Sequence, residues 1–248
     1  MFNLRLTTIF ISALLLSCSP EPVSLEVSPE PAAVSGLNGL VDETQRFNDW
    51  LDEEWEEKLR YSTQTQTSLG LKTDYNRLDD YTLAAQDAEI GWLRESVAEM
   101  ESEFNYQTLS DEGKLSWDMW KDSLTVAEEG IPFRNHQYLF GRGGIHARLP
   151  NFLINLHSVE TLEDMEAYIA RLREIDRVLN EVLLKAQQNA NEGKRPPGFA
   201  YDFAIAEIDR IIEGAPFNAT DTSPNSPLWI DTREKIDSLE ANGLIDPE

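Results

Sequence analysis

Residues 161–193 read TLEDMEAYIARLREIDRVLNEVLLKAQQNANEG and carry the clearest helical signal in the chain. Their apolar side chains recur every three or four residues, which is the spacing of one face of an α-helix. These side chains are Leu162, Met165, Tyr168, Ile169, Leu172, Ile175, Leu179, Val182, Leu183 and Ala186. Thr161 can cap the first turn with Asp164 at the third helical position, and Gly193 can end the helix. At 1.5 Å per residue, about 30 residues make a rod on the order of 45 Å long, which is typical of large helical folds.

The same helical spacing recurs on both sides of this segment. It predicts further helices over residues 42–61, 83–104, 110–130, 201–213 and 227–242. For the first three, the predicted buried faces are Phe47, Trp50, Leu51, Trp55 and Leu59; Ala85, Ala88, Trp92, Val97, Met100 and Phe104; and Leu115, Met119, Trp120, Leu124 and Ala127. Ser110 can cap the third helix, and Gly130 and Pro132 can end it. The chain is therefore predicted to be mainly α.

Residues 132–157 interrupt the helical pattern. The glycine turn at 141–144 disfavours a helix, so a short glycine-containing strand or an irregular excursion is predicted here. The segment holds five basic or imidazole side chains that could line a cleft: Arg134, His136, Arg142, His146 and Arg148. Glycine lets a backbone approach a ligand closely, which favours the cleft-lining interpretation. The alternative is that these side chains form local salt bridges and caps with surrounding acids.

The N-terminus resembles a bacterial export signal. Arg5 precedes an apolar stretch at 6–16, about half as long as the roughly 20 residues of a membrane-spanning helix. Residues 15–18, Leu-Leu-Ser-Cys, resemble a lipobox, in which the cysteine becomes the first mature residue and carries diacylglycerol. Residues 1–17 are therefore predicted to be a lipoprotein signal peptide, with Cys18 lipidated. An ordinary signal peptide is the alternative, but Cys18 is the only cysteine and has no partner for a disulfide within the chain.

The lipid on Cys18 is expected to hold the chain on a membrane surface. Ser19 resembles the sorting residue of outer-membrane lipoproteins, so the expected location is the outer membrane, facing the periplasm. Residues 18–39 hold four prolines among Ser, Glu, Ala and Val, which predicts a lipidated flexible tether. Residues 40–248 then form the helical domain.

The charge balance argues against nucleic acid as a partner. The 45 acidic residues outnumber the 21 Lys and Arg residues, for a formal net charge of −24. Phosphate binding needs clustered Lys and Arg, and the sequence contains no basic run. Acidic surface of this kind is expected to be a solvated face rather than a ligand site.

The familiar catalytic motifs are missing from the sequence. A zinc hydrolase typically carries H-E-x-x-H on a helix, but His136, His146 and His157 are spaced by ten and eleven residues. The nearest acidic pairing, His157 with Glu160, lacks a third ligand. No G-x-S-x-G elbow or phosphate-binding loop occurs, so no catalytic, cofactor-binding or metal-binding residue is assigned within the chain.

Six segments together resemble a known family. They are LDEEW at 51–55, SLGLK at 68–72, PFRNHQYLF at 132–140, LPNFLIN at 149–155, RPP at 195–197 and IEGAPF at 212–217. These segments look like the N-terminal part of the bacterial lipoprotein family numbered 885 among domains of unknown function. The likeness runs from about Phe47 to the end of the chain.

The resemblance implies a larger, helix-rich fold similar to gluzincin metallopeptidases. In that family a distal H-E-x-x-P-G-H element and a later glutamate hold zinc, and the chain ends at Glu248 before any such element. Zinc is thus implied only for the full-length family, and no ligand is carried over. The chain is expected to be the helical N-terminal half, truncated before the zinc motif, that walls the cleft for a peptide substrate. The missing C-terminal half would be its partner.

Two functions remain open from the sequence. In the first, the chain is the cleft-wall half of a zinc-dependent peptidase and is inactive alone. In the second, it is a non-catalytic acidic helical lipoprotein that binds or scaffolds a partner in the cell envelope.

Overall fold

The long rod predicted at 161–193 forms in the computed structural model as a helix of 30 residues, Leu162–Asn191. Thr161 Oγ1 accepts a hydrogen bond from the Asp164 amide at 3.2 Å, and Asp164 Oδ2 accepts one from the Thr161 amide at 3.0 Å. This reciprocal pair satisfies two amides at the start of the helix, as predicted. Gly193 follows the helix with a φ of +80°, a conformation that favours glycine.

The structure describes residues 32–218 and 224–246, with side chains from Glu43 onward. In chain order its α-helices are α1 Ala32–Leu59, α2 Thr63–Ser68, α3 Leu83–Glu103, α4 Asp111–Gly130, α5 Ile145–Asn155, α6 Leu162–Asn191, α7 Gly198–Ile211 and α8 Pro227–Ala241. Two short 3-10 helices cover Tyr106–Thr108 and Ile131–Phe133. The described residues contain no β-strand, so the mainly α prediction is confirmed.

The start of α1 lies earlier than the sequence predicts. The helix begins at Ala32, inside the segment 18–39 that was predicted to be a tether. Once the stretch from Phe47 to Leu59 is helical, each added residue gains a backbone hydrogen bond, so the helix can extend back as far as Ala32. The predicted signal peptide, Cys18 and the first part of the tether lie outside the described residues.

The strand alternative for residues 132–157 is wrong. Residues 134–144 are irregular, as the other alternative predicted, and α5 follows directly. Helix α5 contains Pro150, which removes one backbone hydrogen bond and weakened the helical signal. Ile145, Leu149 and Leu153 lie four residues apart and are almost fully buried, so their burial outweighs the cost of the proline.

Two hydrophobic cores hold the helices together. The first joins α1, α3 and α4 through Phe47, Trp50, Leu93, Val97, Met100, Phe104, Leu109 and Trp117. The second joins α5, α6 and α8 through Leu78, Ile145, Leu149, Phe152, Leu153, Met165, Tyr168, Val178, Val182 and Leu239. Helix α7 packs against α5 and α8 and buries only two alanines, Ala200 and Ala204.

Parts of the predicted buried faces are wrong. Leu115 and Met119 are 61% and 65% exposed, and Trp55 is 45% exposed, whereas Trp117 is buried. The reason lies at Gly113, where an added Cβ would come within 3.0 Å of Thr44 Cγ2 on α1. Since α4 packs tightly against α1 at this glycine, the face that carries Gly113 and Trp117 points inward. Ala88 on α3 is also exposed, contrary to the prediction.

None of the described helices is both long enough and apolar enough to cross a membrane.

The first core yields a stability prediction. Phe47 is fully buried, and its ring lies 5.1 Å from that of Phe104 and 5.8 Å from that of Trp117. Phe47→Ala should lower the free energy of unfolding by about 3–5 kcal/mol, because it removes aromatic contacts and leaves a cavity. The measurement is urea denaturation followed by tryptophan fluorescence.

Trp55→Ala is the matched control, since Trp55 shares α1 with Phe47 but is largely exposed. Its loss should cost less than about 1 kcal/mol. Equal losses for the two variants would contradict the assignment of the buried face of α1.

Candidate functional site

A groove of about 530 Å³ lies between residues 72–76 and the first turns of α6. We call it the α6 groove. Its lining consists of Lys72, Asp74, Tyr75, Asn76, Glu163, Asp164, Glu166, Ala167 and Ala170. Polar and charged side chains dominate this lining, so the groove suits a hydrogen-bonding or charged ligand better than an apolar one.

Lys72 closes one side of the groove. Its Nζ atom lies 2.9 Å from Asp164 Oδ2 and 3.2 Å from Glu160 Oε2. Burial of the Asp164 carboxyl opposes its ionisation, but hydrogen bonds from Lys72 and from the Glu160 and Thr161 amides outweigh it. The pKa of Asp164 is therefore held below its usual range. The loop is thus fixed to α6 by an ion pair whose carboxylate also caps the helix.

A fully buried arginine, Arg171, joins the segments that lie behind the groove. The guanidinium of Arg171 donates hydrogen bonds to Arg77 O, to Thr67 Oγ1 and to His157 Nδ1, each at 2.8 Å. Its carbon Cζ also lies 4.8 Å from the centroid of the Tyr75 ring. Burial lowers the pKa of Arg171 to about 10, so the side chain stays charged at neutral pH.

His157 takes part in the same network, with both ring nitrogens engaged. Nδ1 accepts from Arg171, and Nε2 donates to Asp164 O at 3.1 Å. The Tyr75 ring stacks on the imidazole at 4.0 Å between centroids. Burial of the imidazole, together with the charge on Arg171, lowers the pKa of His157 to about 4, so the ring is neutral above that pH.

The loop is also fixed to α2. Asp79 Oδ1 accepts from the Gln64 amide at 3.0 Å, and Asp79 Oδ2 accepts from Ser62 Oγ at 2.8 Å. In return, Gln64 Oε1 accepts hydrogen bonds from the Asp79 amide and the Tyr81 hydroxyl. These bonds, with the Arg171 network, position the groove-lining residues 72–76.

Three exposed carboxylates face the groove from both sides: Asp74, Glu163 and Glu166. Asp74 has a φ of +49°, the left-handed region that aspartate tolerates better than most residues. The lysine in the lining is already paired with Asp164 and Glu160. The groove is therefore suited to bind an ammonium group or other hydrogen-bond donors.

The described residues do not fit a zinc site. Both nitrogens of His157 are engaged, and Glu160 pairs with Lys72 instead of with His157. The Nε2 atom of His146 is bonded to Glu207, and His136 is exposed beside Phe133. Across the described ranges, no three His, Cys, Asp or Glu side chains are grouped so that they could hold a metal ion.

The five residues predicted as cleft-lining do not come together in one place. Arg134 pairs with Asp87 on α3 and lines a separate cavity of about 210 Å³ between α3 and α4. His136, Arg142 and Arg148 are exposed. The ion pair of Arg134 is of the kind that the salt-bridge alternative predicts. Cleft lining by these residues stays a prediction.

The fifth of these residues, His146, is buried and joins α5 to α7. Its Nε2 atom lies 2.9 Å from Glu207 Oε2, which also accepts a 3.3 Å hydrogen bond from the Gly143 amide. A Cβ on Gly144 would lie 2.9 Å from His146 Nδ1, so only glycine fits beside the ring. No sequence signal pointed to Glu207, because it lies 61 residues from His146.

Arg171 was not predicted from the sequence, although its position carries a signal. Arg171 lies three residues after Tyr168 and seven before Val178, so it falls on the buried stripe of α6. A charged residue on an apolar helical stripe must find hydrogen-bond partners in the interior. Those partners, Thr67, Arg77 and His157, come from three separate segments and could not be read from spacing.

Comparison with known proteins gives one match. A family model described as "Bacterial protein of unknown function (DUF885)" matches residues 64–243, well over half of the 248 residues. The matched range includes the α6 groove and the whole second core. No curated protein and no solved structure matches the chain.

The buried imidazole yields a prediction about pH. The pKa of His157 is about 4 in the folded chain and about 6.5 when unfolded, so the unfolded chain binds the proton first as pH falls. Stability should therefore decrease from pH 6.5 towards pH 4, by up to about 3 kcal/mol from this group. His157→Gln keeps a donor and an acceptor but cannot titrate, so it should flatten part of this decrease.

The check is urea denaturation at several pH values between 4.5 and 7, with His136→Gln as control. His136 is exposed, so its variant should follow the original chain. An equally steep loss of stability in His157→Gln and in the original chain would refute the role of His157.

Proposed function

The chain belongs to the DUF885 family of bacterial proteins of unknown function, and we propose that it forms the helical, substrate-facing wall of a zinc-dependent peptidase in the cell envelope. In this proposal the α6 groove holds part of a peptide. The zinc ligands and the attacking water belong to an element outside this chain, as the family resemblance implies. The chain itself is tethered by a lipid on Cys18.

The single observation that carries the proposal is the α6 groove on its rigid support. An open groove of about 530 Å³ is large enough for several peptide atoms, and its lining loop is fixed by Lys72, Asp79 and the Arg171 network. Binding sites gain affinity when their side chains are held in place before the ligand arrives. A wall that binds and orients a peptide needs this property more than it needs a nucleophile.

The charges of the groove suggest which part of a peptide it holds. Asp74, Glu163 and Glu166 are exposed carboxylates, and the Lys72 ammonium is neutralised by Asp164 and Glu160. The free amino terminus or a Lys or Arg side chain of a peptide offers the complementary charge. The groove would therefore favour peptides with a basic end.

A second candidate function rests on a different surface. Helix α7 leaves Phe199, Phe203 and Ile205 between 48% and 64% exposed, although it is one of the most apolar helices in the chain. The rings of Phe199 and Phe203 lie 6.3 Å apart, and exposed apolar side chains that lie together are typical of protein interaction surfaces. This observation favours the alternative of a non-catalytic binding or scaffold lipoprotein.

The test is zinc content and peptidase activity of the purified chain without residues 1–17. It is assayed alone and with a separately produced polypeptide that carries the H-E-x-x-P-G-H element of a longer family member. We expect substoichiometric zinc and no cleavage by the chain alone, and cleavage on recombination. A double variant, Asp74→Asn with Glu163→Gln, should raise KM several-fold for a peptide with an N-terminal lysine, since exposed ion pairs contribute about 0.2–1 kcal/mol each.

Glu234→Gln on α8 is the matched control, because Glu234 is exposed and lies outside the groove lining. Stoichiometric zinc or cleavage by the chain alone would contradict the wall proposal. Absence of cleavage after recombination would favour the scaffold function. An unchanged KM in the double variant would contradict the proposal that the peptide binds in the α6 groove.

The envelope tether makes a separate prediction. Bacteria that express the chain and are fed an alkyne-labelled fatty acid should incorporate the label through Cys18, and Cys18→Ser should abolish it. Ser24→Ala, a change in the predicted tether, should keep the label. Label that persists in Cys18→Ser would contradict lipidation at this cysteine.

A further inference from the structure

The cavity of about 210 Å³ between α3 and the end of α4 has a mainly apolar lining. We call it the α3–α4 cavity. Each side contributes residues spaced as on one face of a helix. They are Gln86, Glu89, Ile90 and Leu93 from α3, and Ala127, Gly130, Ile131 and Arg134 from α4 and the turn after it. Sites for small molecules are typically concave and mostly apolar with a few polar groups, and this lining has that composition.

The size of the α3–α4 cavity suits one aromatic ring or branched alkyl group. An engineered apolar cavity of about 150 Å³ binds benzene, so a space of this order accepts a ring. The α3–α4 cavity is larger and open to solvent, which leaves room for a short chain beside the ring. Gly130 keeps one wall open, because a Cβ added there would meet no atom within 4 Å.

Three side chains of the lining are polar, and they differ in charge and in pairing. The guanidinium of Arg134 is paired with Asp87 on α3, and Gln86 is uncharged. Glu89 is half-buried and forms no ion pair with any basic side chain among the described residues. The charge in the lining that is still without a partner is therefore the negative charge of Glu89.

The surroundings of Glu89 also favour a cation. Burial and the carboxylates of Glu57, Glu89 and Glu95 raise the pKa of the Tyr61 hydroxyl, so these three carboxylates act on one region. Lys58 shares with Glu89 the lining of a neighbouring cavity. Its ammonium lies 6.0 and 5.9 Å from the centroids of two tryptophan rings and forms no ion pair with Glu89. A cation that reaches Glu89 therefore enters a region of negative potential.

We propose that the α3–α4 cavity binds an apolar group that carries an ammonium a few bonds away. The apolar group lies against Ile90, Leu93 and Ile131, and the ammonium pairs with Glu89. Two sources offer this chemistry: a free aralkyl or alkyl amine, and the first residue of a peptide that begins with an apolar side chain. The site shares no residue with the α6 groove and goes beyond the proposed peptidase wall.

The experiment compares three probes of similar size on the purified chain at pH 7 and constant ionic strength: 2-phenylethylammonium, 2-phenylethanol and 3-phenylpropanoate. Binding is followed by the ¹³C-labelled isoleucine methyl signals, with those of Ile90 and Ile131 assigned from Ile90→Val and Ile131→Val. Both signals should shift saturably. We expect the ammonium probe to bind about fivefold more tightly than the alcohol, because a partly screened ion pair adds to the same apolar contact. The carboxylate probe should bind most weakly.

Two pairs of variants separate the charge from the cavity. Glu89→Gln should reduce the affinity for the ammonium probe to that for the alcohol, whereas Glu95→Gln should keep the preference, because Glu95 is exposed on the same helix outside the lining. Gly130→Leu should fill the cavity and abolish binding of all three probes. Gly91→Leu is its control, since a Cβ at Gly91 also meets no atom within 4 Å but the residue does not line the cavity. Both leucine variants should keep the melting temperature or raise it, because leucine favours a helix more than glycine does.

The peptide Phe-Ala-Ala-amide and its N-acetylated form distinguish the two sources of the ammonium. Tighter binding of the free peptide than of 2-phenylethylammonium would assign the site to a peptide N-terminus, and the reverse order would assign it to a free amine. Acetylation should remove the preference in either case, because it removes the charge.

Equal affinities for the three probes, a preference that survives in Glu89→Gln, or methyl signals that do not shift would each overturn the proposal. Tighter binding of the carboxylate would also overturn it and place the charge preference at Arg134. The readout needs neither zinc nor a second polypeptide, so its failure is distinct from failure of the peptidase test.

Discussion

The buried guanidinium of Arg171 is the constraint on which the arrangement around α6 depends. Its three hydrogen-bond partners are all uncharged: a backbone oxygen, a hydroxyl and a neutral imidazole. An ionised group in the interior is tolerated only when its donors are satisfied, so α2, the 70–82 loop and the turn before α6 must meet at this point. Removing any one partner leaves an N–H group of the charged guanidinium without an acceptor. The positions of the three segments therefore depend on one another.

This dependence explains why an irregular loop can serve as one side of a groove. Loops are usually mobile because few contacts hold their backbone. Here Lys72 binds Asp164, Tyr75 stacks on His157 and Asp79 bonds to α2, so the loop is fixed at three points along its length. The exposed carboxylates of the groove therefore sit on a rigid base, while their own side chains remain in solvent.

Features that depend on residues close in sequence were predicted, whereas contacts between residues far apart in sequence were not. The α6 capping box and the cap of α4 each depend on residues three apart, so Thr161 and Ser110 could be identified from the sequence alone. The inward face of α4 depends on the close approach of Gly113 to α1, and the partner of His146 lies 61 residues away. Neither contact produces a periodic pattern in the sequence. The groove itself was not predicted, because its lining comes from two segments that only tertiary packing brings together.

The buried polar groups at the two ends of α6 differ in whether they have hydrogen-bond partners. At the N-terminal end, Asp164, His157 and Arg171 satisfy one another, so their hydrogen-bonding capacity is spent on holding the fold. At the C-terminal end, the Asn189 side-chain oxygen is buried and accepts no hydrogen bond from the described residues. A buried acceptor without a partner costs free energy on folding, whereas the paired groups at the N-terminal end hold α2, the 70–82 loop and α6 together. The hydrogen-bonded end of α6 is therefore the end that fixes the neighbouring segments.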